Sequence, residues 1–397
     1  MTKLFRSCAA VLAAAAVLTA VTVPASATPA RGALLSVTPV ETLSLDGVRA
    51  KLADSPFGAD HVRHGVHAYR LEYRTIDGRG RPTTASGLVA LPDDGPRVLP
   101  TVAYLHGTRV GKRAVASVDE HNADRPAAYT FAAAGYATVA PDFLGLGTGP
   151  GSHPYMDSAT ETSASVDMLR AARSFAQRLA KALDPKVRIT GFSQGGQGAM
   201  VLGRALQSGV DRRFSLGALA PISGPYDVLG AELPGIFDGS VSPGSAMFYL
   251  SYWTVAMNRT HHIYSDPAEV FKAPYASTIE KLLDGSTDDD VVAKSLPAKL
   301  SDLFTDAYLK RVRHPSGGLL EAAHASDGAC DWRPRVPVSL YAGTADTDVP
   351  IANAESCRRD LRDEGARVRV VNVGPRDHFG TAFTAVPRIV DAFDRVR

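Results

Sequence analysis

Val187-Arg188-Ile189-Thr190-Gly191-Phe192-Ser193-Gln194-Gly195-Gly196-Gln197-Gly198-Ala199-Met200 decides how this chain folds. A short apolar strand runs into Gly191-x-Ser193-x-Gly195 and continues at once into a helix-forming stretch. A serine that must project from a sharp turn at the end of a strand leaves no room for side chains two positions before and two positions after it. Glycine at 191 and 195 removes that collision. The helix that follows points its N-terminus at Ser193, so the Gln194 N–H is placed to stabilise a developing oxyanion. Ser193 is therefore the candidate nucleophile.

A second oxyanion donor is expected in the loop after an earlier strand. Leu99–Leu105 (LPTVAYL) is a short apolar run of the kind buried on both faces of a parallel sheet, and it ends in His106-Gly107-Thr108. The Thr108 N–H is the candidate donor, and His106 is read as a brace for the loop. The acid is sought after a later strand, where Pro337–Tyr341 feeds Gly343-Thr344-Ala345-Asp346-Thr347-Asp348-Val349-Pro350. Asp346, the first carboxylate after the strand, is preferred. Asp348 is read as the N-terminal cap of a helix near Pro350. The base is expected after the last strand, where Val368–Val373 is followed by Gly374-Pro375-Arg376-Asp377-His378. The order Ser193, Asp346, His378 matches a known chain order of catalytic triads. His261, His262, His314 and His324 have no such placement and are read as surface or packing residues.

Outward from these segments, strand and helix patterns alternate. Extended runs at His67–Thr75, Thr84–Leu91, Tyr136–Phe143, Lys186–Ile189, Leu216–Ile222, Val336–Tyr341 and Val368–Val373 read as strands. Thr162–Leu183 carries Met168, Ala172, Phe175, Leu179 and Leu183 on one helical stripe. Further helices are expected after Ser193 and at Pro350–Asp363. This alternation predicts an α/β fold, with a mostly parallel central sheet and helices on both faces. From Leu229 to Asp331 no strand is apparent, but Pro/Gly punctuation, short helical patterns and many aromatics are. The segment reads as a helical cap inserted between the sixth and seventh strands. Most of its aromatics form its own small core and some face the site. Thr287–Asp290 and Pro315–Gly318 read as solvated loops within it. The division is residues 1–27 as signal peptide, 28–228 and 332–397 as the two parts of the core, and 229–331 as cap.

Lys3 and Arg6, an apolar stretch from Cys8 to Val23 and Ala25-Ser26-Ala27 form a secretory signal with cleavage after Ala27. Secretion is expected, with no stable membrane anchor, because no later run approaches the ~20 apolar residues of a membrane span. Over the whole chain 43 Lys and Arg face 41 Asp and Glu, and removal of the signal takes away two of the basic residues. A formally neutral protein offers no basic face to nucleic acid or to an anionic membrane. Cys330 and Cys357 remain after cleavage and are expected to form a disulfide in an oxidising compartment. Neither lies in a metal-binding or redox spacing. No metal or organic cofactor is required, and the chain is expected to act as a monomer.

The elbow GFSQGG, the HGT turn, Ala140–Gly147 (APDFLGLG) with His153-Pro154-Tyr155 beyond it, and GTADTDVP resemble the secretory lipase/esterase family of the α/β-hydrolase superfamily. The resemblance spans most of the mature chain and is weakest across the cap. It implies an α/β-hydrolase fold and hydrolysis of small-molecule or lipid carboxylic esters by Ser193, Asp346 and His378. The loop Asp142–Gly151 would line the site entrance. A serine exopeptidase or an acyltransferase of the same fold, using the same acyl-enzyme, is the alternative. A binding protein with a vestigial pocket would have no reason to keep competent residues at all three positions.

Overall fold

The computed structural model describes residues 30–396; the signal segment expected at 1–27 lies outside them. One sheet has the strand order β1-β2-β3-β5-β4-β6-β7-β8-β9. The strands are β1 (Leu34–Leu43), β2 (Val66–Ile76), β3 (Pro82–Pro92), β4 (Val98–Leu105), β5 (Ala137–Pro141), β6 (Ala182–Phe192), β7 (Ser215–Ile222), β8 (Val338–Ala342) and β9 (Val368–Asn372). The first three pair antiparallel, β3 meets β5 antiparallel, and β5-β4-β6-β7-β8-β9 run parallel. The parallel strands are apolar without alternation because helices cover both of their faces. Helices Ser158–Arg178, Gln194–Gln207 and Ala352–Asp363 pack through Met168, Phe175, Met200 and Leu361 on one side. Helices Leu45–Ala53, Asp124–Ala133 and His378–Asp394 pack through Leu52, Phe131, Ile389 and Phe393 on the other. Each such fully buried side chain contributes roughly 1.5–3 kcal/mol of transfer free energy.

Two expectations are corrected. Strand β1 is absent from the sequence pattern because it is a half-exposed edge strand with Pro39 and two register shifts, so no clean alternation marks it. The long insertion lies between the same two strands as expected, which count as β7 and β8 once β1 is included. The helix starts at Ser158, where Asp157 accepts the Thr160 N–H, and stops at Arg178. Ala180 then takes a left-handed φ of 55°, and Leu183 belongs to β6. Leu179 and Leu183 continued the helical stripe only by coincidence of spacing.

Between β7 and β8 the described residues form short helices from Val228–Glu232 to Gly318–Ser326, separated by turns and irregular stretches, with an isolated bridge between Phe271 and Phe304. These helices enclose a core of their own that includes Tyr252, Phe271, Phe304 and Tyr308. Asp289 corrects the loop assignment at 287–290. It opens the helix Asp289–Ser295 and accepts the N–H groups of Val110 and Gly111 at 2.8 and 2.7 Å. No helix among the described residues is long and apolar enough to cross a membrane.

Cys330 and Cys357 form a disulfide that ties the segment before β8 to helix Ala352–Asp363. Its separation of 27 residues corresponds to about 3.5 kcal/mol on the chain-entropy estimate. Replacing both cysteines with serine is expected to lower the unfolding free energy by about that amount in urea titration. An unchanged midpoint would show that the bond constrains nothing.

Candidate active site

The parallel strands deliver their following loops to one edge of the sheet, and the three sequence candidates meet there. Ser193 sits at the turn between β6 and helix Gln194–Gln207 with φ 56° and ψ −122°. A β-carbon at Gly191 would run into the Gly195 carbonyl, as the sequence pattern predicts. One at Gly195 would instead strike the Leu105 and His106 carbonyls at the end of β4, so that glycine serves a second contact. The strained backbone holds the Ser193 side chain above the sheet edge.

Ser193 Oγ lies 2.9 Å from His378 Nε2, and His378 Nδ1 lies 2.8 Å from Asp346 Oδ2. All three residues are buried. Asp346 is oriented in turn by the N–H groups of Asp348 and Val349, which donate to its Oδ1 at 3.0 and 2.9 Å. His378 is the first residue of the helix His378–Asp394, and its ring stands 4.5 Å from that of Phe192. None of His261, His262, His314 and His324 lines the cavities at Ser193.

The Gln194 N–H, first in its helix, and the Thr108 N–H donate to no acceptor among the described residues. Thr108 lines the wider cavity at Ser193, and Gln194 follows Ser193 directly at the start of the helix. The Thr108 hydroxyl bonds the Tyr155 hydroxyl at 2.9 Å. The His106 ring nitrogens lie 2.7 Å from the Gly107 carbonyl and 3.1 Å from the Asp142 carbonyl, so this imidazole braces the loop.

This geometry has relatives of known structure. The rice cell wall degrading esterase LipA from Xanthomonas oryzae is 30% identical, with a TM-score of 0.83 over 93% of this chain and 100% of that one. A variant of the same esterase superposes with a TM-score of 0.85 at 29% identity and the same coverage. The chain belongs to the α/β-hydrolase esterases and lipases. The closed state of Candida antarctica lipase A, 16% identical with a TM-score of 0.67 over 92% of this chain and 83% of that one, shares the fold. No family model matches the esterase, and no curated protein matches it at a significant level.

Two features of the esterase differ from expectation. Asp348 does not cap the helix near Pro350, which begins at Ala352 behind Ile351. It accepts the Ser245 and Tyr249 hydroxyls at 2.7 and 3.0 Å, bonds to residues about a hundred positions away that local spacing does not reveal. The loop Asp142–Gly151 contributes no lining residue at Ser193. Asp142 is buried beneath it, where it accepts the Ser86 and Ser117 hydroxyls at 2.6 Å each. The residues that reach the cavity from this side are Tyr155 and Met156.

Sequence reasoning also missed a polar cluster behind the nucleophile. The Gln194 side-chain amide donates to Glu161 Oε1 at 2.7 Å and to His153 Nε2 at 2.8 Å. His153 Nδ1–H donates to the Leu144 carbonyl, and burial holds this imidazole neutral, with its pKa pushed down to about 3. Glu161 is 1% exposed and its Oε2 has no partner. Burial pushes its pKa up to about 8, opposed by the Gln194 bond and reinforced by Asp157.

The sign of the linkage follows. Below the ordinary glutamate value both the folded and the unfolded chains hold the proton. As pH rises towards 8, only the unfolded chain gives it up freely, so stability falls across that interval. Glu161→Gln removes the titration and is expected to gain on the order of 3 kcal/mol relative to wild type between pH 5 and pH 8.5. Denaturant unfolding at the two pH values measures it. An equal offset at both would show that Glu161 does not titrate there.

Proposed function

We propose that the esterase is a secreted member of the secretory lipase group that cleaves carboxylic esters through Ser193, His378 and Asp346 by way of an acyl-enzyme. The observation that carries this is the unbroken relay from Ser193 Oγ through both His378 ring nitrogens to Asp346, on a strained turn beside an apolar cavity. Asp346 holds the His378 tautomer whose Nε2 faces Ser193 and stabilises the imidazolium that forms. His378 Nε2 takes the Ser193 proton as Oγ attacks the ester carbonyl carbon. The oxyanion of the tetrahedral intermediate is held by the Gln194 and Thr108 N–H groups, at roughly 3 kcal/mol per donor. The intermediate collapses with the proton passing from His378 to the leaving oxygen, so the alcohol departs and Ser193 carries the acyl group. Water, deprotonated by His378, repeats the sequence and releases the acid.

The helices between β7 and β8 act in this account as a cap over Ser193. The signal at residues 1–27 and the Cys330–Cys357 bond both suit an oxidising exterior. The likeness to the Xanthomonas esterase puts esters of cell-wall polymers among the substrates to try.

One observation bears on an exopeptidase, which needs a carboxylate to hold a substrate amine. Glu232 lines the cavity at Ser193, with Asn353 donating to its Oε1 at 2.7 Å. Burial, with Asp346 and Asp348 nearby, pushes its pKa up to about 8 against the Asn353 bond. In the free enzyme this carboxyl is largely neutral at neutral pH, so seating a substrate ammonium there carries the added cost of ionising it, and this tilts the reading towards an ester. The test is turnover of p-nitrophenyl esters from acetate to palmitate beside aminoacyl-nitroanilides. Ester turnover at least about 100-fold above that of the anilides in kcat/KM is expected. Anilide turnover without an ester preference would make the protein a peptidase.

A further inference from the structure

Ser193 opens onto two cavities of unlike character. One, of about 600 Å³, is bordered by Thr108, Arg109, Phe248, His378 and Phe379. The other, of about 70 Å³, is walled by Met156, Val228, Leu233, Ile236, Leu250 and Trp253, with Glu232. Among the described residues only Ser193, Tyr249 and Asp348 border both, and the Tyr249 ring, the largest of these side chains, stands where the cavities meet. Tyr249 is fixed at both ends. Its backbone belongs to helix Pro243–His261, and its hydroxyl donates to Asp348 Oδ2 at 3.0 Å. The same helix is tied to the same loop by Ser245 Oγ–H to Asp348 Oδ1 at 2.7 Å and by Ser242 N–H to the Thr347 carbonyl at 2.7 Å. The ring also stands edge-on to Phe248, with centroids 5.6 Å apart.

The chemistry assigns the two cavities, on the esterase reading given above. His378 Nε2 has to reach the leaving oxygen, so the alcohol lies in the wide cleft that His378 borders. The acyl group then occupies the narrow apolar slot, which His378 does not border. We infer that Tyr249, latched by Asp348, is a specificity-determining partition that restricts this enzyme to esters of slender, unbranched apolar acyl groups on bulky alcohols. A close-packed slot rejects added width more strongly than an open cleft does, because its walls have to move. Loss of the ring joins the slot to the cleft and relieves that restriction.

The test compares p-nitrophenyl hexanoate with p-nitrophenyl 2,2-dimethylbutanoate. Each kcat/KM is divided by the alkaline hydrolysis rate of its ester, so that intrinsic reactivity cancels. Wild type is expected to favour the straight chain by at least about 100-fold, and Tyr249→Ala to reduce that ratio at least about tenfold through a gain on the branched ester. Tyr249→Phe, which keeps the ring but loses the bond to Asp348, is expected to give a ratio between those of wild type and Tyr249→Ala. Tyr249→Leu repeats the comparison if the alanine variant does not fold. A wild-type ratio near one overturns the inference, as does an unchanged ratio in both truncated variants while the straight ester is still hydrolysed. Turnover of neither ester would overturn the esterase reading and the inference together.

Discussion

Ser193→Ala is expected to lower kcat on p-nitrophenyl esters by roughly 10⁶-fold while the protein keeps its unfolding midpoint. The nucleophile and its base act as a unit, so removing the hydroxyl leaves only binding and the oxyanion donors to assist water. The substitution is mild for the fold because Ser193 Oγ makes one hydrogen bond, to His378, and its backbone bonds are untouched. Measured kcat beside urea unfolding separates the two effects. Residual activity near wild type in a folded variant would mean that another group attacks the ester.

Asp346→Asn carries the second largest expectation, a fall of roughly 10⁴-fold in kcat. The amide would keep the shape of the loop, and its carbonyl could still accept the N–H groups of Asp348 and Val349. Its NH2 would then face His378 Nδ1, which would have to become an acceptor, leaving the ring proton on Nε2 against Ser193. The base would be in the wrong tautomer. Asp348→Asn is expected to lower kcat/KM by less than about tenfold, because Asp348 contacts the helix Pro243–His261 and not His378. Steady-state kinetics of both variants on one ester decides the matter. A larger loss at Asp348 would assign the acid to the wrong carboxylate.

The segments that were legible in the sequence are those where the turn chemistry leaves few choices. Gly191 and Gly195 have carbonyls where their side chains would go, so the strand–turn–helix around Ser193 is written into local spacing. The parallel strands are visible because burial on both faces makes them continuous apolar runs, as at Leu99–Leu105 and Ala137–Pro141. Strand β1 was hidden for the opposite reason, being half-exposed on an edge and interrupted by Pro39. The surroundings of Ser193 were hidden by distance along the chain. Glu161 reaches Gln194 across 33 positions, and Tyr249 reaches Asp348 across 99, and neither pair carries a local signature. Asp348 looked like a helix cap because a carboxylate before Pro350 suits that role by spacing alone. Its partners lie on a helix whose position only the folded chain specifies.

The central claim is that Ser193 is the nucleophile activated by His378. Intact mass and peptide mapping after reaction with a fluorophosphonate test it most directly. One adduct per chain is expected, on the peptide containing Ser193, absent in Ser193→Ala and formed far more slowly in His378→Ala. An adduct on another residue, or none in the folded wild-type protein, would contradict it.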